Sequence, residues 1–434
     1  MQIELPSIGL DEYLIRETRR CVRAPVSRFR HPWIAPMAPP AGEQNEERFR
    51  LGDYSGGLFH HDVSESAIEL CRDAELARVC FGSLLCFLDT ADETGRVHRI
   101  ELPTRTRDAE PAKPVMAQLA LRAIDGMHDG LERADEHAVL ARLVAFVDYL
   151  ERETTGANGL LLTPSSRASG FDSDVHTAGF AEFSIEGPDT STFFVLELEA
   201  LALLAARLGD AGKARELGER AALWREAVDR VLWDDATESY VARRGSATHG
   251  AGAGTSWITL LPLYAGIPSA ERAGPLLDRL CDAAKYWGPR GVRTVAADDV
   301  YFNQAARVMV YDPRKGEPGP VSNWSGPVWV LSSYYMFRAL ERYGRTAEAD
   351  ELALRTGRLL SEDLATTGAL HECYDDAGRG LWPRCGTFVS WNVLAVTMLR
   401  AAAERARGGA FSCALSPPRA SSDADRTSAG RQSA

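Results

Sequence analysis

Two adjacent helices predicted between Thr192 and Val231 constrain the fold more than any other part of the chain. The first, Thr192 to Leu208, has apolar residues at steps of three and four and apolar neighbours on its other faces, so it belongs inside the protein. The second, Ala214 to Val231, has one apolar stripe on an otherwise charged surface, which is typical of an outer helix. Gly209 is expected to end the first helix, and the short joint at 208–212 makes the two helices antiparallel neighbours.

The same alternation of inner and outer helices recurs along the chain. A second helical hairpin is predicted to start at Pro327, to stop at Gly344 and to continue from Ala347 to Leu360. Weaker versions of the pattern cover residues 67–88, 114–125, 140–153, 257–280 and 387–405. Short acidic turns after three of these helices are expected to form small β-hairpins on one rim of an all-α fold.

Length and charge limit the class of protein. With 434 residues, of which 45% are hydrophobic, the chain forms either one large closed barrel or two ordinary domains. The formal charge of −12 leaves no basic stripe for phosphates, so nucleic acid is not an expected partner. No membrane span or cationic leader is recognised, and the eight cysteines include no Cys-x-x-Cys pair, so a cytoplasmic protein with reduced thiols is expected.

The loop from Ala168 to His176 carries more polar residues than a connector needs. Gly170 gives backbone freedom beside Asp172, and the negative charge of Asp174 would raise the pKa of Asp172, as a proton donor requires. Two other interpretations stay open. The carboxylates could bind nearby backbone N–H groups, or form an Asp-x-Asp-x-His metal site, although no further ligand follows at a characteristic spacing.

A second candidate stretch surrounds Glu372 and Tyr374. A carboxylate beside aromatic rings can activate water while the rings stack on a sugar, but Glu372 equally fits a solvated strand residue. Trp391 follows at the start of the last helix. Between the two stretches, Trp324 and Trp329 flank a helix N-terminus, an arrangement that serves either packing or carbohydrate binding.

Taken together and in this order, these segments resemble the inverting (α/α)6-barrel glycoside hydrolases of family 63. That family includes the mannosylglycerate and glucosylglycerate hydrolases and the processing α-glucosidases, and trehalases are more distant. The most specific match is Trp324-Ser-Gly-Pro-Val-Trp329, with support from segments 232–240, 262–266 and 291–299. The resemblance implies an all-α (α/α)6 toroid, a six-hairpin barrel over residues 1–408 with short β-hairpins on the active-site rim. Residues 409–434 lack apolar periodicity and are predicted to be a disordered tail.

The resemblance also implies which residues form the active site. Asp172 of Ser169-Gly-Phe-Asp172 matches the general acid, and Glu372 of Glu372-Cys-Tyr374 matches the general base, which implies two carboxyl groups roughly 6.5–9.5 Å apart. Asp62 matches an aspartate that holds the sugar at the non-reducing end. The expected substrate-binding residues are Asp62, His61, Trp324, Gly326, Trp329, Tyr374 and Trp391. The implied substrate is a small α-linked glucoside or mannoside such as glucosylglycerate, mannosylglycerate or trehalose, with no cofactor and no metal.

Two departures from the family pattern bear on the substrate. His60 or His61 stands where the family has a tryptophan before the sugar-binding aspartate, and Ser-Asp-Val-His176 follows Asp172 where members commonly read Asn-Ser-Pro-Arg. These histidines either contact the sugar in place of the usual family residues or are hydrogen-bonded structural groups. Arg384 is a candidate for binding a glycerate carboxylate, with a solvated surface arginine as the alternative.

Two other functions fit the pattern. A sugar epimerase or isomerase on an (α/α)6 barrel would need paired histidines, for which His176 and His371 are the candidates. A descendant that binds sugar without catalysis would have Asp172 turned away from Glu372. The geometry around these four residues therefore discriminates between the functions.

Overall fold

The computed structural model describes residues 9–38, 56–106, 110–127, 133–165, 169–172, 174–177, 181–245, 247–248, 255–302, 324–381 and 386–408. These residues form twelve α-helices: α1 (Gly9–Cys21), α2 (His60–Leu70), α3 (Ala74–Asp89), α4 (Met116–Gly126), α5 (Arg133–Thr154), α6 (Pro188–Arg207), α7 (Ala211–Leu232), α8 (Leu261–Ala265), α9 (Ala270–Leu280), α10 (Val330–Arg342), α11 (Thr346–Thr367) and α12 (Leu394–Ala406). Short 3-10 turns precede α8 (Trp257–Leu260) and α12 (Trp391–Val393). The tail at 409–434, Arg384 and two of the eight cysteines lie outside the described residues.

The even-numbered helices form a closed inner ring. Each packs against the next, from α2 through α4, α6, α8 and α10 to α12, and α12 packs back against α2. The outer helices α3, α7 and α11 pack on this ring, and α7 buries only the stripe that its sequence predicts. The all-α (α/α)6 fold expected from the sequence is therefore confirmed.

The strands are pairs of two residues each, all antiparallel. They are β1 (Val22–Arg23) with β2 (Trp33–Ile34), β3 (Met37–Ala38) with β10 (Thr387–Phe388), β4 (Leu58–Phe59) with β5 (Ile100–Glu101), β6 (Trp233–Asp234) with β7 (Ser239–Tyr240), and β8 (Arg243–Arg244) with β9 (Ala247–Thr248). The β3–β10 pair ties the first part of the described chain to the last helix, so it helps to close the ring.

Helix boundaries follow local chemistry in most places. Gly209 has a φ of +81° just after α6, as predicted for a helix stop, and the Asp210 side chain accepts a hydrogen bond from Lys213 N at 2.9 Å to cap α7. The predicted segment 67–88 is instead two helices, because the Asp73 carboxylate caps α3 by accepting from Glu75 N at 2.9 Å.

The predicted start of α10 at Pro327 is wrong by one turn, since the helix begins at Val330. Val328 is extended because its N–H donates to Tyr374 O at 2.8 Å and its carbonyl accepts from Tyr374 N at 2.9 Å. Pairing between distant segments thus overrides the local helix signal of the proline.

The six described cysteines are free thiols, which agrees with the expected reduced state. Within the described helices, none combines the length and the apolar character needed to cross a bilayer.

Candidate active site

The predicted site residues gather where the inner helices begin. Asp62 lies in the first turn of α2, Trp329 immediately precedes α10, and Trp391 starts the 3-10 turn before α12. Two residues that the sequence did not single out complete the same mouth of the ring: Asp189 in the first turn of α6 and Trp257 ahead of α8. These residues therefore lie together at one end of the toroid.

The segment Trp324–Trp329 links the two loops that carry the predicted acid and base. Trp324 N donates to the backbone oxygen of Asp172 at 3.2 Å, and Val328 pairs with Tyr374, two residues beyond Glu372. Gly326 adopts a φ of +125°, a region that favours glycine, and its N–H donates to Thr294 Oγ1 at 2.9 Å. The specific sequence of this segment is thus explained by its position between the two loops.

The predicted tryptophans form one buried aromatic cluster. Trp324 and Trp329 stack with ring centroids 4.1 Å apart, and Trp391 lies 5.7 Å from Trp329. Phe171, the neighbour of Asp172, packs edge-on against Trp324 at 4.8 Å and against Trp257 at 4.9 Å. The only signal for Phe171 in the sequence was its place beside the proposed acid.

Asp62 is connected to this cluster through the last helix. Ser390 Oγ donates to Asp62 Oδ1 at 2.8 Å, and the next residue is Trp391. The ring of His61, which precedes Asp62, lies 5.9 Å from the Trp391 ring. The residues expected from sequence at 61–62 and 391 are therefore neighbours.

His61 is packed behind the loop of the proposed acid. Its Nε2 lies 3.3 Å from Tyr335 Oη, and a Cβ added to Gly170 would lie 2.2 Å from its Nδ1. Burial and the nearby Lys113 charge hold the pKa of His61 well below its usual range, so the ring is neutral. His60 Nδ1 lies 3.0 Å from Arg99 O. Of the two roles considered for these histidines, this geometry favours structural support.

Glu372 is 5% exposed and lies in a loop whose neighbouring residues, His371 and Tyr374, are held by Asp363 of α11. Tyr374 Oη donates to Asp363 Oδ2 at 2.8 Å, and His371 Nδ1 lies 2.9 Å from the same oxygen. The Tyr374 ring is fully buried, so its observed contacts are those of a supporting residue. Asp363 had no distinguishing signal among the charged residues of an outer helix.

Asp174 does not present an uncompensated charge to Asp172, contrary to the interpretation from the sequence. It is fully buried, and its Oδ1 accepts from His176 N at 3.0 Å and pairs with His176 Nδ1 at 3.0 Å. His176 Nε2 lies 3.4 Å from Asp189 Oδ1. Burial alone would lower the pKa of His176, but Asp189 and Asp174 outweigh it and raise this pKa to about 9. The loop is held by this ion pair: Nδ1 of His176 lies within hydrogen-bond distance of Asp174, and Nε2 lies within ion-pair distance of Asp189.

Comparison with families of known proteins gives a match over most of the chain. A family model described as the mannosylglycerate hydrolase MGH1-like glycoside hydrolase domain matches residues 84–388. The chain is 27% identical over 227 residues to the probable mannosyl-oligosaccharide glucosidase of Schizosaccharomyces pombe. The aligned region covers 46% of this chain and 24% of that protein. The chain is also 29% identical over 165 residues to the mannosylglycerate hydrolase of Rubrobacter radiotolerans. This aligned region covers 38% of this chain and 33% of that protein.

The matched regions thus span a quarter to a third of the length of these curated relatives. The fold is similar to that of the crystal structure of family 63 mannosylglycerate hydrolase from Thermus thermophilus in complex with glucose. The TM-score is 0.66 with 17% identity, covering 90% of this chain and 99% of that chain. Because the family model matches well over half of the chain, this protein belongs to the mannosylglycerate hydrolase MGH1-like glycoside hydrolase domain family.

Proposed function

We propose that this protein is an inverting glycoside hydrolase that cleaves a small α-linked glucoside or mannoside, with Asp172 as general acid and Glu372 as general base. The observation that carries the proposal is the Trp324–Trp329 segment, which binds the backbone beside both carboxylates. Membership of a glycoside hydrolase family supports the reaction class. No cofactor enters the proposed reaction.

In the proposed mechanism Asp172 gives its proton to the glycosidic oxygen as the bond from that oxygen to the anomeric carbon breaks. A water molecule attacks the anomeric carbon from the opposite face, and Glu372 accepts the proton that this water loses. The aglycone leaves as an alcohol, and the released sugar has the inverted configuration. Proton exchange with solvent returns Asp172 to its acid form and Glu372 to its carboxylate form before the next turnover.

The surroundings of the pair suit a sugar ligand. The indole N–H groups of Trp257 and Trp391 have no hydrogen-bond partner among the described residues, although both rings are buried in the aromatic cluster. Buried donors of this kind match sugar hydroxyl acceptors, and the rings can stack on a pyranose face. We assign sugar binding to Asp62, Trp324, Trp329 and Trp391, and a backbone role to Gly326.

The relatives support the proposed substrate class. Mannosylglycerate hydrolases occur among both the sequence and the structure matches, which favours a hexose linked to a small acid such as glycerate. The isomerase alternative loses support, because His176 is bound by Asp174 and Asp189 and His371 is bound by Asp363.

The deciding experiment follows the first-formed sugar by proton NMR. The purified protein is incubated with mannosylglycerate, glucosylglycerate and trehalose, and the anomeric signals are recorded before mutarotation. An inverting enzyme releases only the β-anomer from α-linked mannosylglycerate or glucosylglycerate, and equal amounts of β- and α-glucose from trehalose, because the leaving glucose keeps its α-configuration. Initial α-anomer from either glycerate glycoside, or α-glucose alone from trehalose, would overturn the assignment of Glu372 as a base. Absence of cleavage across α-linked hexosides would favour the non-catalytic descendant.

A further inference from the structure

The loop that carries Asp172 rests on buried charged groups that the proposed mechanism does not use. Lys113, which lies just before α4, is 2% exposed, and its Nζ donates to Ser169 O at 2.8 Å. The ammonium group also lies over the rings of Phe171 and Phe193, at 3.8 and 3.9 Å from their centroids. Lys113 therefore holds the residues immediately before Asp172.

The other side of the loop is held by His176. Asp174, two residues after Asp172, binds both the backbone N–H and the ring of His176. Asp174 N donates to Phe171 O at 3.1 Å, and Thr177 N donates to Asp174 O at 3.1 Å. The turn after Asp172 is thus closed by hydrogen bonds that depend on the position of Asp174.

Asp189 connects the two sides. Its carboxylate is fully buried in the first turn of α6, 3.4 Å from His176 Nε2, and it attracts the Lys113 charge as well. The charges of His176 and Lys113 lower the pKa of Asp189 despite its burial, so the carboxylate is ionised. This anion of an inner helix therefore pairs with His176 after Asp172, and its charge also favours the ammonium form of Lys113 before Asp172.

We propose that Lys113 before Asp172 and the Asp189–His176 pair after it together position the loop of the general acid. This inference rests on the proposed function for its effect on turnover, but the ordering of the loop can be measured without substrate. These three are positioning residues, since each is buried and bound to other protein groups. A proton donor must be held at the glycosidic oxygen, so loss of this support lowers kcat more than it changes KM.

The proposal predicts a dependence on pH. The groups facing His176 are Asp174 in the loop and Asp189 on α6, with Lys113 beyond Asp189 and the Tyr286 phenol facing Asp174. Because the pKa of His176 is raised to about 9, its cation is present at neutral pH and is lost as the pH rises through that value. Burial lowers the pKa of Lys113 to about 7, offset in part by Asp189 and Glu65. The positive charge of His176 therefore persists to higher pH than the positive charge of Lys113.

The test combines amide hydrogen exchange with kinetics. In His176→Gln, the amides of Asp174, His176 and Thr177 should exchange at least tenfold faster than in the wild type, while amides of the distant helix α9 keep their rates. In the wild type, protection of these loop amides, corrected for the intrinsic rate, should fall as the pH passes 9, and His176→Gln should lack this step. Lys113→Met should loosen the same loop. The controls are His137→Gln on α5 and Lys213→Met on α7, of which the first is exposed and the second partly exposed.

The kinetic arm uses an α-linked substrate that the wild type cleaves, with Asp172→Asn as the inactive reference. His176→Gln and Lys113→Met should each lower kcat about tenfold and change KM less than twofold. Unchanged loop exchange in both variants, or an increase spread evenly over the whole protein, would overturn the proposal. If the wild type cleaves no glycoside, the proposed function fails, and the exchange arm still decides whether these residues order the loop.

Discussion

At the scale of single residues, the two proposed catalytic carboxylates should be separable from the groups that hold them. We predict that Asp172→Asn and Glu372→Gln each lower kcat on an α-glycoside about a hundredfold or more, because each removes a proton-transfer group. Both replacements are nearly isosteric, so the melting temperature should stay close to that of the wild type. The exposed Glu182→Gln serves as the control, and wild-type turnover in either active-site variant would refute the assignment.

The role of Tyr374 gives a second prediction at this scale. Tyr374→Phe removes the hydrogen bond from its hydroxyl to Asp363, which should cost about 1 kcal/mol in the free energy of unfolding. The loop that carries Glu372 is then held less firmly, so kcat should fall several-fold while KM is nearly unchanged. Steady-state kinetics and urea denaturation measure the two effects. A raised KM with unchanged kcat would instead show that Tyr374 binds the sugar, as first expected from the sequence.

At the scale of helices, the inner ring brings six helix N-termini to the mouth that holds the site. Each such end presents free backbone N–H groups and a partial positive charge, which favours the buried carboxylates of this region. Glu197 of α6 shows the effect within the ring, since its carboxylate accepts from Ala117 N at 2.6 Å and Gln118 N at 3.3 Å in the first turn of α4. An inner helix thus caps its neighbour with a buried acid.

We predict that burial of this capping carboxyl group makes stability depend on pH. Burial raises the pKa of Glu197 to about 7, despite the N–H donors, whereas the unfolded value is near 4.5. The folded protein therefore binds more protons between these values, and stability should fall as the pH rises from about 4.5 to 7, by on the order of 3 kcal/mol. Urea denaturation should show a shallower decline for Glu197→Gln, which retains an oxygen acceptor. Parallel profiles for the two proteins would contradict the prediction.

The helices also show what a sequence can and cannot reveal. The pattern of α6 and α7 and the stop at Gly209 are local, so they could be predicted closely. Pro327 could not be placed, because its neighbour Val328 pairs with Tyr374, far away in sequence. Asp174 was misinterpreted for the same reason. Its charge is balanced by His176, which also pairs with Asp189 of a separate helix, and a local sequence pattern does not predict such a contact.

At the scale of the whole molecule, the ring closes next to the site. β3 pairs with β10, and Pro36 O accepts from Ser390 N at 3.1 Å, immediately before Trp391. Thr387 of β10 contacts both the closure of the ring and the segment near Glu372. Its Oγ1 accepts from Tyr13 Oη of α1 at 3.0 Å and from Leu370 N at 2.8 Å. A change that disrupts the closure of the ring should therefore also disrupt the segment that carries Glu372.

The final prediction tests this coupling with Thr387→Val, which keeps the shape of the side chain and removes its oxygen. Leu370 N and Tyr13 Oη lose an acceptor, at a cost of about 2 kcal/mol in the free energy of unfolding. Tryptophan fluorescence reports on tertiary packing around all nine tryptophans, of which four lie in the cluster described above, and far-UV circular dichroism reports on all helices. If the ring unfolds as one unit, both signals should give one shared midpoint, lower in Thr387→Val by the same amount. A fluorescence transition that precedes the loss of helix would show that tertiary packing loosens before the ring unfolds, and would contradict the prediction. Tyr13→Phe, which removes one of the two bonds, should give an intermediate shift, because Leu370 N then keeps its acceptor.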